Sequence, residues 1–158
     1  MLHRRLLPAL LPALVIGREA LAADPGTQQA IRAEVNAARA AFGRGPLGID
    51  DRLSRAATAH SRDMLATSRM DHRGSDGSDP GARIARAGYR WRSFRENVAA
   101  GQGSPREVVV TWMNSAGHRA NILADDVTQI GVGFAGGPGM MMGNIPRLFW
   151  TLVLAAPR

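Results

Sequence analysis

Three side chains in the middle of the chain, His72, Glu96 and His118, are of types that bind metal ions or transfer protons. They are spaced 24 and 22 residues apart, which matches no short metal-binding motif, and the H-E-x-x-H signature is absent. The spacing alone therefore predicts no catalysis. If the fold brings the three together, two neutral imidazoles can hold Zn²⁺ while Glu96 orients a bound water. Alternatively, Glu96 anchors both histidines by hydrogen bonds in a polar cleft without metal.

His60 is a fourth candidate, because it falls on the same helical stripe as the apolar residues Leu53, Ala57 and Met64. A histidine on an apolar face is more often a buried residue that bonds to a neighbour than a ligand. Spacing alone therefore favours a structural role for His60. Asp63, three residues on, is expected to be a hydrogen-bonding or solvated partner of its surroundings and not a ligand.

The elements around Glu96 and His118 can be predicted from local patterns. The apolar segment ENVAA, which begins at Glu96, indicates a strand. The residues SPRE, which begin at Ser104, combine an N-cap, a proline at the first helical position and a capping-box glutamate. They predict a helix whose apolar face includes Trp112. The helix is expected to end near Asn114, and a tight turn then presents His118.

The flanking sequence predicts helices first and strands later. Apolar periodicity indicates one helix along 31–42 and a second that begins at 49–51, and residues 67–82 form a loop that contains His72. The segments 129–135 and 148–155 read as the two central strands of an antiparallel sheet. The connection between them, 136–147, is expected to be a flexible, partly exposed loop.

Two motifs near the C-terminus are misleading. Gly131, Gly133 and Gly136 match the G-x-G-x-x-G fingerprint, but a dinucleotide site needs a helix next, and another glycine and a proline follow instead. The three methionines from Met140 to Met142 could suggest a soft metal. An apolar loop tip explains them better.

Composition limits the functional classes. The chain has 158 residues, enough for one domain with a sizeable core, and its 20 basic residues, all arginine, exceed the 13 acidic ones. The arginines are scattered and are not interleaved with aromatics, so nucleic-acid binding is not predicted. The absence of cysteine excludes thiol chemistry and cysteine-bound metals, so packing alone must stabilise the fold.

Residues 1–22 have the pattern of a signal peptide. A basic start at 3–5 precedes an apolar run at 6–17, and Ala20-Leu21-Ala22 forms an A-x-A cleavage site. An uncleaved N-terminal anchor is the alternative, because Arg18 and Glu19 add charge close to the cleavage site. We expect a still basic mature chain, 23–158, without a transmembrane segment and secreted to the periplasm or the extracellular space.

Several segments together resemble a known family. They are AHSRDM at 59–64, DHRGSDGSDPGARIARAGYRW at 71–91, ENVA at 96–99 and TWMNSAGHRANIL at 111–123. In this order they resemble the bacterial branch of the CAP superfamily, also called SCP domains, over most of 23–158. The resemblance implies an α+β fold, a three-layer α-β-α sandwich with a central antiparallel sheet. It also implies that His72, Glu96 and His118 line one cleft, with His60 as a possible back wall.

The chain departs from the family pattern at two positions. Arg95 replaces the glycine before the acidic residue, and it could crowd the cleft or pair with Glu96 and lower the basicity of that carboxylate. Ser115 stands where many eukaryotic members carry a second acid, which weakens the case for a hydrolase.

The resemblance implies a monomeric secreted protein whose cleft binds a small ligand, a lipid or a cell-envelope partner. The alternative is a metal-dependent hydrolase of peptides or envelope polymers. In that case Glu96 is catalytic, and His72 and His118 hold Zn²⁺. Whether the protein is an enzyme remains open at the level of sequence.

Overall fold

The computed structural model describes the backbone of residues 21–22 and all of residues 24–158. The predicted signal peptide lies outside the described residues except for Leu21 and Ala22, and it stays a prediction. Among the described residues, every helix is too short or too polar to cross a membrane.

Helices and strands alternate along the first part of the chain, and the two longest strands end it. In chain order the elements are β1 (Leu21–Ala22), α1 (Pro25–Ala41), β2 (Gly48–Ile49), α2 (Asp51–Thr67), α3 (Pro80–Arg86), β3 (Trp91–Ala100), α4 (Pro105–Met113), α5 (Ala116–Ile122), β4 (Gln129–Met141) and β5 (Ile145–Pro157).

The helices α3 and α4 begin where side-chain capping predicts. Ser104 Oγ accepts the backbone N–H of Glu107 at 3.2 Å, and Pro105 is the first residue of α4. The Glu107 carboxylate reaches back one residue further than in a standard capping box, because it accepts the N–H of Gly103 at 2.8 Å. Asp79 caps α3 in the same way, by accepting the N–H of Ala82.

The strands form one five-stranded sheet with the order β1-β4-β5-β3, and β2 pairs with β4. The predicted antiparallel arrangement is confirmed, and β4 and β5 are central strands as expected. The two-residue strand β2 is an exception, because it runs parallel to β4. The strand β3, which carries Glu96, pairs with β5 on one side only and is therefore an edge strand.

The predicted three-layer sandwich is confirmed by packing on both faces of the sheet. On one face α1, α4 and α5 bury an apolar cluster that includes Ile31, Trp112, Ile122 and Leu152. On the other face α2 and α3 bury a cluster that includes Leu53, Ala57, Ile84 and Val153. Leu152 and Val153 are adjacent in β5 and point to opposite faces, as strand geometry requires.

Two glycines of the misleading fingerprint explain how closely α2 lies on the sheet. A Cβ added at Gly131 would lie 2.1 Å from the carbonyl carbon of Leu53, and one added at Gly133 would lie 2.2 Å from that of Ala57. Both distances are too short for any side chain. These glycines are therefore required by helix–sheet packing, and that packing brings the helix that carries His60 close to the sheet.

The predicted loop at 136–147 is mostly strand, so that prediction is wrong. After an irregularity between Gly136 and Met140, pairing resumes between Met140 and Pro146 and between Met141 and Ile145. The two strands thus continue to a short 3₁₀ turn at Met142–Asn144. The expected exposure of this tip is confirmed, since Met142 is 93% exposed.

The buried indole of Trp112 links α4 to the sheet, and its removal should threaten folding. Its side chain is fully buried, and Nε1 donates to the backbone oxygen of Val98 at 3.2 Å. Trp112→Ala should lower the free energy of unfolding by about 3–5 kcal/mol, measured by urea denaturation. Val110→Ala is the matched control, because Val110 is exposed on the same helix and should change stability by about 0.5 kcal/mol or less. Equal losses in the two variants would contradict the packing.

Candidate functional site

The candidate site is built on β3, the edge strand of the sheet. Glu96 in β3 pairs with Val153 in β5, so its side chain points to the face covered by α2 and α3. The helix α3 packs against β3, and Trp91 Nε1 donates to the backbone oxygen of Gly81 at 3.2 Å. This packing positions Arg83, two residues later in α3, beside Glu96.

The Glu96 carboxylate is the shared acceptor of the site. His72 Nδ1 lies 2.9 Å from Oε1, and Arg83 Nη2 donates to Oε2 at 2.7 Å. The side chain of Glu96 is only 3% exposed and that of Arg83 only 8% exposed, whereas that of His72 is 54% exposed. A buried carboxylate is costly without a counter-charge, so Arg83 compensates the charge of Glu96. His72 then extends this buried pair to the surface.

Arg83 is the functional residue that the sequence did not reveal. It sits in a short helix with further arginines nearby, and nothing in its spacing separates it from a solvated surface residue. Arg95, which was expected to crowd the cleft or pair with Glu96, does neither. It points to the opposite face of β3, as the strand alternation requires, and donates to Asp126 Oδ2 at 2.8 Å. That expectation is wrong.

The loop that carries His72 is fastened to α2. Asp63 accepts the backbone N–H of Ser75 at 2.8 Å and also the Ser75 hydroxyl. The expectation that Asp63 is a hydrogen-bonding residue is therefore confirmed. Asp71, next to His72, accepts the N–H of Arg73 at 2.9 Å, which tightens the local turn. These bonds give an exposed histidine a defined position beside Glu96.

His60 forms the buried back of the site. Its residue is 1% exposed, and Nε2 lies 2.8 Å from the backbone oxygen of Asp71 and 4.0 Å from Glu96 Oε1. Because a carbonyl oxygen only accepts, Nε2 must carry the proton in this hydrogen bond. Burial lowers the pKa of His60, although Glu96 opposes this effect. The buried, hydrogen-bonded histidine predicted from spacing is thus what the structure has, and it also borders Glu96.

The predicted end of α4 and the tight turn after it are confirmed at Asn114 and Ser115, but His118 lies beyond the turn, in the first turn of α5. The chain leaves α4 at Asn114 and immediately begins α5, which covers the open edge of β3. Asn121 Nδ2 donates to the backbone oxygen of Glu96 at 3.2 Å and to Asn97 Oδ1 at 2.9 Å, and Asn97 Nδ2 donates to the backbone oxygen of His118 at 3.1 Å. Asn97 of the ENVA segment and Asn121 of the TWMNSAGHRANIL segment therefore hold α5 against the edge strand β3.

The two accessible histidines have opposite electrostatic tendencies. The hydrogen bond to Glu96 raises the pKa of His72 above its usual value, despite partial burial. Burial lowers the pKa of His118, and a positive charge on His72 lowers it further. His118 Nδ1 has no hydrogen-bond partner within the described part of the chain. The surroundings therefore favour the protonated form of His72 and the neutral form of His118.

The structure therefore brings His72 and His60 close to Glu96, at 2.9 and 4.0 Å from Oε1. The charge of His72 acts on His118, but the two rings are not hydrogen-bonded to each other in the described part of the chain. Across residues 24–158, no three His, Asp or Glu side chains form a group arranged to hold a metal ion.

The buried neutral state of His60 should make stability depend on pH. The unfolded chain binds a proton near the ordinary pKa of 6.5, but the folded chain does so only at lower pH. The buried neutral ring of His60 therefore stabilises the fold above about pH 6.5, and this stabilisation is lost as the pH falls below that value.

The raised pKa of His72 has the opposite effect on stability. The bond between protonated His72 and Glu96 stabilises the fold below about pH 6.5, and this stabilisation is lost as the pH rises.

His60→Gln tests this dependence, because glutamine can donate to the Asp71 carbonyl but does not titrate. Urea unfolding at about pH 7 and about pH 5 should show a larger loss of stability in the wild type than in His60→Gln. His72→Gln is the control, and its stability loss on acidification should be larger than that of the wild type. The account of His60 would fail if the wild type and His60→Gln lost the same stability.

Comparisons with known proteins agree with this fold. The model of the cysteine-rich secretory protein (CAP) family matches residues 32–154. The chain is 43% identical over 99 residues to the uncharacterized protein YkwD of Bacillus subtilis, an alignment that covers 63% of the chain and 38% of YkwD. The chain thus spans well under half of that relative.

Solved structures share the fold. An extracellular protein with an SCP domain from Bacillus anthracis is 25% identical with a TM-score of 0.71, and the match covers 82% of the chain and 40% of that structure. An outer surface protein of Borrelia burgdorferi has a TM-score of 0.74 at 21% identity, with 88% of the chain and 99% of that structure covered.

Proposed function

Because the chain belongs to the cysteine-rich secretory protein (CAP) family, we propose that it is an exported binding protein whose cleft takes an anionic group. The group belongs to a small ligand or to a component of the cell envelope. Export is supported by the signal-peptide pattern at 1–22 and by the description of the Bacillus anthracis neighbour as extracellular. The binding role rests on the charges around Glu96.

The observation that carries the proposal is that Arg83 and His72 share one carboxylate. Arg83 already compensates the charge of Glu96 at 2.7 Å. A proton on His72 therefore gives the group of three a net positive charge. The hydrogen bond from Nδ1 to Glu96 leaves Nε2 of the half-exposed ring to face a ligand. A protonated Nε2 is a charged donor, which suits carboxylate, sulfate or phosphate oxygens.

Sulfate is a suitable probe because it keeps its charge across the range in which histidine titrates. Its binding at about pH 6, followed by NMR at constant ionic strength, should perturb the ring signals of His72 and His118 and should weaken above the pKa of His72. His72→Ala should bind about tenfold more weakly, because a charge-assisted hydrogen bond contributes roughly 1.5 kcal/mol.

Arg32→Ala is the matched control, because it also removes one positive charge but lies on the exposed surface of α1. It should leave sulfate binding within about twofold of the wild type, since exposed charges are screened. Equal binding by the wild type and His72→Ala, or binding that does not change with pH, would refute the proposal.

A metal-dependent hydrolase is the second candidate, and one observation favours it. Histidines that bind metal ions commonly donate their second nitrogen to a carboxylate, as His72 does to Glu96. The lowered pKa of His118 also favours the neutral ring that a metal requires. His72 and His118 would hold Zn²⁺, which would supply a Lewis acid and an activated water. Both oxygens of Glu96 are already engaged, so Glu96 would act by orienting His72.

Calorimetric titration with Zn²⁺ at about pH 7.5 separates the two candidates. If one ion binds the wild type and both His72→Ala and His118→Ala abolish binding, the hydrolase gains the metal site that it needs. Equal binding by all three proteins excludes a shared site at these histidines. The sulfate titration is judged independently of this result.

A further inference from the structure

A second concave site lies behind the cleft. A pocket of about 370 Å³ opens between α2, α3 and the loop that joins them, a volume within the range of small-ligand sites. Its lining includes Arg55, Ala56, Ala59, Arg86 and Ala87. Arg83 and His60 form the wall between this pocket and the cleft, whereas His72, Glu96 and His118 do not line it. A ligand here would therefore occupy a different place from one held by His72.

Two of the three arginines that line the pocket are paired with carboxylates. Arg86 donates to Asp76 at 2.9 Å, and Arg83 is held by Glu96 at 2.7 Å. Arg55 makes one hydrogen bond within the described residues, at a distance of 3.4 Å to the backbone oxygen of Ala87. A bond of this length is weak. The Arg55 guanidinium at the rim therefore has donors available for an incoming acceptor.

The carboxylates in the pocket do not compete for Arg55. Asp76 is held by Arg86 and by the N–H of Ser78, and hydrogen bonds from Ser78 and Arg86 lower the pKa of Asp76 far below its usual value. Asp63 is used by the backbone and hydroxyl of Ser75. Both acids thus have donors of their own.

The remaining lining consists of small residues: three alanines, one glycine and two serines. Ala56, Ala59 and Ala87 contribute methyl groups where larger side chains would fill the space. Pockets of this type, with an apolar wall and one well-placed charged group, fix a ligand by burying its apolar body and pairing its polar end. A planar guanidinium matches a carboxylate in a two-point hydrogen bond.

We infer that this pocket binds a small organic carboxylate with a compact apolar body. The carboxylate pairs with Arg55 at the rim, and the apolar body lies against Ala56, Ala59 and Ala87. The site is independent of the anion site proposed at His72, because the two share only the wall formed by Arg83 and His60.

Benzoate is the probe, and benzamide is its neutral counterpart of nearly the same shape. NMR titration of the mature protein with benzoate should shift backbone signals of Arg55, Ala59 and Ala87, with a dissociation constant in the roughly millimolar range expected of so small a ligand. Benzamide should bind at least about fivefold more weakly, because it lacks the charge that pairs with Arg55. Binding of benzoate should also weaken as salt is added.

Variants locate the site. Arg55→Gln should weaken benzoate binding about fivefold or more, whereas Arg32→Gln, an exposed arginine on α1, should not. Ala59→Phe places bulk in the pocket from an exposed helix position and should abolish binding while the unfolding midpoint is retained. His72→Ala should leave the benzoate-induced shifts of Arg55, Ala59 and Ala87 unchanged.

The inference is overturned if benzamide binds as well as benzoate, or if Arg55→Gln and Arg32→Gln behave alike. It is also overturned if His72→Ala removes the benzoate shifts at Arg55, Ala59 and Ala87, because the probe would then occupy the cleft. Since benzoate binding is read from these signals and sulfate binding from the ring signals of His72 and His118, failure of this pocket leaves the proposed function to be judged by the sulfate titration.

Discussion

The site depends on one buried carboxylate that is shared by an arginine and a histidine. Glu96 is nearly inaccessible, and it is tolerated there because Arg83 approaches one of its oxygens at 2.7 Å and His72 the other at 2.9 Å. Burial makes each of these contacts stronger than it would be in water. This buried carboxylate also affects the protein surface. Glu96 orients the half-exposed ring of His72 and raises its pKa, which favours the protonated form.

The rest of the fold serves to bring these three groups to one strand edge. Gly131 and Gly133 let α2 lie against the sheet, which places His60 at the back of the site. On the opposite side, Asn121 fastens α5 to the backbone of Glu96 at 3.2 Å. The edge of β3 is thereby covered, as exposed strand edges generally must be, and the helix that covers it carries His118.

The sequence predicted whatever follows from local pattern. Capping at Ser104, the stripe that buries His60 and the two central strands are readable because each depends on neighbouring residues. The family resemblance supplied the pairing of His72 with Glu96, which residue spacing could not. The role of Arg83 is not visible in the sequence because its partner is 13 residues away on another element. Arg95 differs from the expectation because strand alternation turns its side chain away from that of Glu96. The hairpin at 136–147 has the composition of a loop, and its glycines hide a pairing that depends on β5.

Histidine titration by NMR tests the shared carboxylate most directly. In the mature wild-type protein, the account predicts that His72 titrates above the ordinary value of 6.5 and that His60 and His118 titrate below it. Assignment with single His→Gln variants identifies each signal, and no ligand is required. If His72 titrates at or below about 6.5, its ring is not held by an ionised Glu96, and the central claim is contradicted.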